Sequence, residues 1–220
     1  MDKITKIDKI LSIDFSLTGT AFIWGDTKNI NYKYFSNLKS DTNNLHCVSI
    51  PKEFKSCDKL DFVIHDYMKL CANEDIKYVF LEAPSFNSSN SNSEFKSGYG
   101  VLTWFARQVG IPYLLVPPIS LKLFFTGNAR AEKSEMVQQA VKLYGNTIDF
   151  DSISKKHRED VSDALSLFTL GKEYLLNKDN LNTADVIQVL PLHQQQVIAK
   201  LCGREDLYKE IVKLRSKLTF

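Results

Sequence analysis

The chain reads as a mixed α/β fold, a five-stranded sheet with helices on both faces, followed by a helical C-terminal extension. Three observations predict it. Three short apolar runs near the start are separated by links short enough for antiparallel hairpins. Two later runs, 78–81 and 113–116, are apolar on both faces, as buried parallel strands are. Between and after these two runs, apolar residues recur at steps of three and four, the helical period. A meander of strands followed by βαβ units implies a mixed sheet covered by helices. The length of 220 residues suits one domain over 1–180 with the extension over 181–220.

The elements follow in order. Ile10–Asp14 is an apolar run closed by a carboxylate, Ser16-Leu17-Thr18 is a turn, and Gly19–Trp24 is the second run. Asn31–Phe35, with Tyr32 and Tyr34 alternating, is a third antiparallel strand. After a polar stretch over 37–44, Phe54, Cys57, Leu60, Ile64, Tyr67 and Cys71 mark an amphipathic helix entered at Pro51. Tyr78–Leu81 is a buried parallel strand that delivers Glu82 at its end. The Ser/Asn-rich stretch 83–93 is too polar to pack and reads as a surface loop. Phe95, Tyr99, Leu102, Ala106 and Val109 mark the next helix, stopped by Gly110 and Pro112. Tyr113–Val116 is the last strand, closed by Pro117-Pro118, and Ser120–Phe125 a short helix before the Gly127-Asn128 turn. Met136, Val137, Ala140, Val141 and Tyr144 give a helix ending at Gly145, and Val161, Ala164, Leu165, Phe168 and Leu175 a long one over about 157–176. Beyond Asn182, two groups, Val197, Ile198 and Leu201, then Leu207, Ile211, Leu214 and Leu218, suggest two helices around Gly203.

Composition narrows the function classes. With 44% hydrophobic residues the chain has a core to bury, which excludes a wholly disordered protein. No run of about 18 apolar residues exists, which excludes a membrane-spanning helix. The charged start, Met1 to Lys9, lacks a signal-peptide core, so cytoplasmic residence is expected. The four cysteines show no CxxC spacing, and neither His46 with Cys47 nor Cys57 with His65 has zinc spacing. A net charge of +2 leaves nucleic-acid binding to local patches.

The carboxylates carry more. Asp14 ends a strand that the meander places mid-sheet, and Glu82 ends the parallel strand expected beside it. Asp160 and Asp163, three apart on the last helix of the domain, project from one face about 60° apart. Acidic groups gathered from two strand ends and one helix repel one another unless a cation neutralises them. Hard oxygen ligands suit Mg²⁺, with Mn²⁺ as a substitute. Two such ions about 3.5–4 Å apart stabilise the attacking and leaving oxygens of a phosphoryl displacement.

Ile13-Asp14-Phe15-Ser16-Leu17-Thr18-Gly19-Thr20, Val79-Phe80-Leu81-Glu82 and Asp160-Val161-Ser162-Asp163-Ala164-Leu165 resemble the blocks of RuvC-like Holliday junction resolvases. Pro118-Ile119-Ser120-Leu121-Lys122 and Thr126-Gly127-Asn128-Ala129-Arg130-Ala131-Glu132-Lys133 extend the resemblance, which covers roughly 10–176. It is nearer to the phage-type branch than to the bacterial enzyme; Phe15-Ser16 departs from the bacterial enzyme's Pro-Gly, and phage relatives have a similar Ser-Leu-Thr pattern. The resemblance implies an RNase H-like fold and Mg²⁺-dependent nicking of branched DNA, four-way junctions first, with forks and flaps alongside. It implies a homodimer with two ions per active site. By position, Asp14, Glu82, Asp160 and Asp163 match the family's acidic tetrad, and Lys133 its lysine.

Other residues have two readings each. His157 either orients water or touches metal one turn before Asp160, or is a solvated helix-start residue in a basic run. Phe86 either stacks on an unpaired base or anchors its loop. Lys122, Arg130, Lys155, Lys156 and Arg158 flank the acidic set as DNA-backbone contacts, or are ordinary surface. The helix 94–108 is the expected dimer interface: Gly98 and Gly100 permit close approach, and Tyr99, Leu102, Trp104 and Phe105 cover more than one face. In the alternative, Trp104 covers a core edge. Two other functions stand beside the nuclease: an actin/hexokinase-like phosphotransferase, disfavoured by the lack of a second phosphate-binding hairpin, and a non-cleaving branched-DNA-binding protein.

Overall fold

The structure, a computed structural model, describes residues 8–16, 19–38, 44–84, 93–178, 190–206 and 209. Its sheet contains β1 (Ile10–Asp14), β2 (Thr20–Gly25), β3 (Ile30–Ser36), β4 (Cys47–Ser49), β5 (Tyr78–Glu82) and β6 (Tyr113–Val116), in the order β4-β3-β2-β1-β5-β6. The first three strands pair antiparallel, while β5 joins β1 and β6 joins β5 in parallel. The meander, the βαβ order and the central place of β1 follow the expectation. The strand count does not: the described residues form six, not five. β4 pairs in parallel with β3 from Tyr34↔Cys47 to Ser36↔Ser49. Three half-buried to exposed residues on a sheet edge are too short to show either an apolar run or an alternation.

Helices α1 (Ser56–Asn73) and α2 (Ser93–Gln108) cover one face. The other carries α3 (Pro118–Thr126), α4 (Lys133–Tyr144), α5 (Lys155–Asn177) and α6 (Leu192–Leu201). α1 starts at Ser56 rather than at Pro51. The Asp58 carboxylate accepts the Lys55 N–H at 2.9 Å, so the helix begins there, and 51–54 forms a turn closed from Phe54 N–H to the Pro51 carbonyl. α6 lies in the segment set apart after residue 180, yet its Val197 and Ile198 are buried in the same core as α3 and α5. Residues 179–189, and nearly all the second extension helix, lie outside the described residues. All four cysteines are free thiols.

Period-two alternation sorts the strand side chains between these two cores. In β1, Leu11 and Ile13 pack with α1 and α2, while Ile10 packs with α5. In β5, Val79 and Leu81 face α1 and α2, while Phe80 faces α5. Asp14 and Glu82 have the parity of Ile10 and Phe80, so both strands present their terminal carboxylate on the α5 side.

The α1/α2 side corrects one expectation. Gly98 is not available to a partner: a Cβ there would lie 2.4 Å from the Phe15 ring and 3.0 Å from Leu60. It is the contact that lets α2 sit on the sheet. Tyr99, Leu102 and Ala106 are buried on that side, Phe105 is half-buried, and Gly100 faces open space. Trp104 does not cover a core edge, the alternative given it: it is 59% exposed.

One polar contact fastens β1 to α5. The Ser12 hydroxyl, fully buried, lies 2.8 Å from the Ala164 carbonyl and 3.2 Å from that of Ile23. Ser12 is two residues before Asp14 on the same strand face, and Ala164 follows Asp163. Ser12→Ala should therefore lower the unfolding free energy by about 1 kcal/mol in urea titrations. Ser12→Leu, which must push β1 from α5, should cost about 1–3 kcal/mol.

Candidate active site

At the carboxyl ends of β1 and β5, α5 crosses the sheet and brings its second turn over the strand ends. The result is a cleft of about 460 Å³ lined by Asp14, Glu82, Asp160 and Asp163, with Lys122, Lys133 and Lys156 among its other walls. Tyr99 from α2, Met136 from α4 and Glu159 from α5 complete much of the lining. Elements distant in sequence thus bring the four predicted carboxylates together.

Their proton affinities register the crowding. Burial pushes the Asp14 carboxyl well above its ordinary range, reinforced by Asp163, Glu82 and Asp160 and opposed by Lys133. Glu82 is pushed up to about 7, by burial first and then by Asp163, against Lys122 and Lys133. Asp163 is pushed up to about 6, again chiefly by burial, with Lys133 opposing and Asp160 adding. A site that raises its own carboxylates in this way favours a bound cation over bare charge.

The donors fit a hard divalent ion in chemistry. Among the described residues no three His, Cys, Asp or Glu side chains close up into a ready cage. Mg²⁺ characteristically takes one or two carboxylates, keeps its waters and adds substrate phosphate oxygens. Asp14, Glu82, Asp160 and Asp163 can supply that partial set in a cleft open on one side.

The flanking residues divide. Lys133, at the first turn of α4, is two-thirds exposed and donates to Glu159 at 2.7 Å, which raises its proton affinity. Lys122 and Lys156 line the cleft, whereas Arg130 and Lys155 are exposed and not among its walls. Arg158 is turned away: its guanidinium donates to the Ile153 and Asp151 carbonyls, fastening α5 to the 3₁₀ turn Phe150–Ser152. His157 is not a solvated helix-start residue. It is fully buried, its Nδ1 is 2.7 Å from Asp160 Oδ2, and its ring lies against Tyr34. Phe86 lies outside the described residues.

Two residues of the site escaped the sequence reading. Glu159, between expected site residues, looked like one more charge on a helix surface. Gly19 is pressed against Asp160, since a Cβ there would lie 2.2 Å from Oδ2. The sequence signal was a glycine at the head of the second apolar run, read there as part of a strand without reference to the site.

This architecture is a RuvC-like fold, a mixed sheet with helices on both faces. Three solved structures illustrate it. Thermus thermophilus RuvC is 15% identical, with a TM-score of 0.53 over 76% of this chain and 96% of that one. The same protein in complex with a Holliday junction substrate gives 14% and 0.54, over 76% and 98%. The yeast mitochondrial Holliday junction resolvase Ydc2 gives 13% and 0.50, over 92% and 84%. No protein-family model matches the chain, and no curated protein matches its sequence. Among the described residues no helix is long and apolar enough to cross a membrane.

The raised carboxylates set a pH dependence with a definite sign. Between the ordinary value of 4.5 and about 7, folded Glu82 holds a proton that the unfolded chain has lost. Its share of stability is full below that window and is lost as pH rises through it. Glu82→Gln should therefore gain in Tm relative to wild type from pH 4.5 to above 7 without divalent ions. Added Mg²⁺ should narrow the gap at high pH. Thermal melts with a pH-independent difference would contradict this account of the site.

Proposed function

We propose that the chain is a divalent-metal-dependent endonuclease that nicks branched DNA, four-way junctions first, and works as a homodimer. One observation carries the reading: four carboxylates from β1, β5 and α5 line a single cleft with Lys122, Lys133 and Lys156, on a RuvC-like fold. The cleft is acidic at its centre and basic around it, which suits a phosphate backbone drawn toward bound cations. We assign the chain to the phage-type branch on Phe15-Ser16 after Asp14.

Asp14, Glu82, Asp160 and Asp163 would hold Mg²⁺ or Mn²⁺, two ions per site, which when bound polarise the scissile phosphate and stabilise the attacking and leaving oxygens. The protein's own groups do the rest. Lys133 sits where α4 begins, so its ammonium and the helix N-terminus both favour an anion. In the DNA-free protein Glu159 occupies that ammonium, and an incoming phosphate takes its place. Lys122 and Lys156 hold neighbouring backbone phosphates, contacts that position without reading sequence. A phosphotransferase has no second phosphate-binding hairpin to use here, and a non-cleaving binder has no need of four gathered carboxylates.

A four-way junction has two-fold symmetry, and paired nicks on opposing strands call for two sites related by a two-fold axis. The outer face of α2 suits such a contact: Trp104 is 59% exposed, and among the described residues nothing stands over Gly100.

Asp14→Asn, Glu82→Gln and Asp163→Asn should each leave branched-DNA binding intact. Each should also cut Mg²⁺-dependent nicking of a four-way junction to less than about a hundredth of wild type, a loss of some 3 kcal/mol in transition-state stabilisation. Wild-type nicking by a well-folded Asp14→Asn would remove Asp14 from the reaction, and a wild type that nicks the junction no better than linear duplex with Mg²⁺ present, in the same gel assay, would rule the branched-DNA nuclease out. Light scattering should give two chains per particle. Trp104→Lys should yield a folded monomer that cuts one strand per encounter.

A further inference from the structure

We propose that His157 and Gly19 clamp the Asp160 carboxylate, committing one oxygen to the protein and leaving the other to the ion site. Both are then positioning residues for divalent-ion binding. The inference deepens the metal-dependent reading above and rests on it.

The imidazole of His157 is fully buried, so it does not meet solvent, substrate or a hydrated ion directly. Its Nδ1 lies 2.7 Å from Asp160 Oδ2, the distance of a short charge-assisted hydrogen bond in which Nδ1–H donates and the carboxylate accepts. Its ring plane is set by Tyr34, with centroids 5.3 Å apart and planes 31° apart. Tyr34 is itself fully buried on β3, so the imidazole has a fixed wall behind it.

Gly19 closes the other side. A Cβ at this position would lie 2.2 Å from Oδ2, 2.8 Å from Cγ and 3.0 Å from Oδ1, so only glycine lets the carboxylate in. The backbone there is held in place by its own turn. Gly19 N–H donates to Ser16 Oγ at 2.9 Å, and Thr20 Oγ1 donates to the Ser16 carbonyl at 2.8 Å. The Asp160 carboxylate therefore sits between a buried ring and a pinned backbone, and cannot turn about its last bond without breaking the hydrogen bond or striking the hairpin. With Oδ2 committed, Oδ1 is the oxygen left to the cleft that Asp160 lines. Groups that orient a ligand from behind in this way commonly change metal affinity by about 10–100-fold.

The test is Mn²⁺ binding to the full, DNA-free chain by titration calorimetry, with ring ¹⁵N NMR of the wild type beside it. His157→Phe keeps a ring against Tyr34 but has no donor, and should weaken Mn²⁺ about tenfold or more. His157→Asn places an amide N–H near the Nδ1 position and should stay within about threefold of wild type, well short of the usual loss. Gly19→Ala should weaken Mn²⁺ as His157→Phe does. The ¹⁵N spectrum should show His157 protonated at Nδ1, and Asp160→Asn should change that signal. Unaltered Mn²⁺ affinity in His157→Phe and Gly19→Ala overturns the clamp alone. If His157→Phe does not fold, wild-type His157 with Nδ1 unprotonated overturns it equally. Wild-type Mn²⁺ affinity in Asp160→Asn overturns Asp160 as an ion ligand, and the clamp with it.

Discussion

The carboxylates of Asp14, Glu82 and Asp163 each hold their protons more tightly because burial and the other acids oppose their charge. A protein that gathers such groups must hold them with contacts stronger than their mutual repulsion, and the surrounding structure is arranged to do so. The buried Ser12 hydroxyl bonds the strand bearing Asp14 to the helix bearing Asp163. Parallel pairing of β1 with β5, from Ile10↔Tyr78 to Ile13↔Leu81, brings Asp14 and Glu82 to the same end of the sheet. The apolar side of α5, including Val161, Ala164, Leu165 and Phe168, is buried in the sheet-face core and keeps Asp160 and Asp163 at its polar edge.

Much of this was legible because it depends on short-range periodicity. The ends of two apolar runs place Asp14 and Glu82, helical spacing pairs Asp160 with Asp163, and the order of elements puts β1 beside β5. What escaped depends on contacts across the chain. β4 is a strand only because β3 offers it an edge, and its three residues carry no pattern of their own. The start of α1 was set by the Asp58 carboxylate at the Lys55 amide rather than by the preceding proline. His157 stands in a run of cations, which left a solvated reading beside a site reading, yet the helical turn that carries it faces Tyr34. Gly98 looked like an opening for a partner and is filled by Phe15 of the same chain.

The C-terminal segment has a second role in the architecture. α6 packs on α3, with the Gln194 side chain donating to the Phe124 carbonyl at 3.2 Å and Val197 and Ile198 entering the core. α3 carries Lys122 into the cleft, so a helix remote from the carboxylates backs one of the cleft's basic walls. The neighbour that matches over 92% of this chain, rather than 76%, is the yeast mitochondrial resolvase.

The alternation in β1 and β5 bears on how such a chain can diverge. One residue inserted or deleted within either strand turns its terminal carboxylate to the opposite face, among Phe22, Tyr67 and Leu102 rather than beside α5. Apolar side chains along the same strands can be exchanged for others of similar bulk with far smaller effect. This geometry therefore tolerates wide change in residue identity while forbidding changes in strand length. That asymmetry fits a fold shared at 13–15% identity: what the geometry fixes is the count of residues from core to carboxylate.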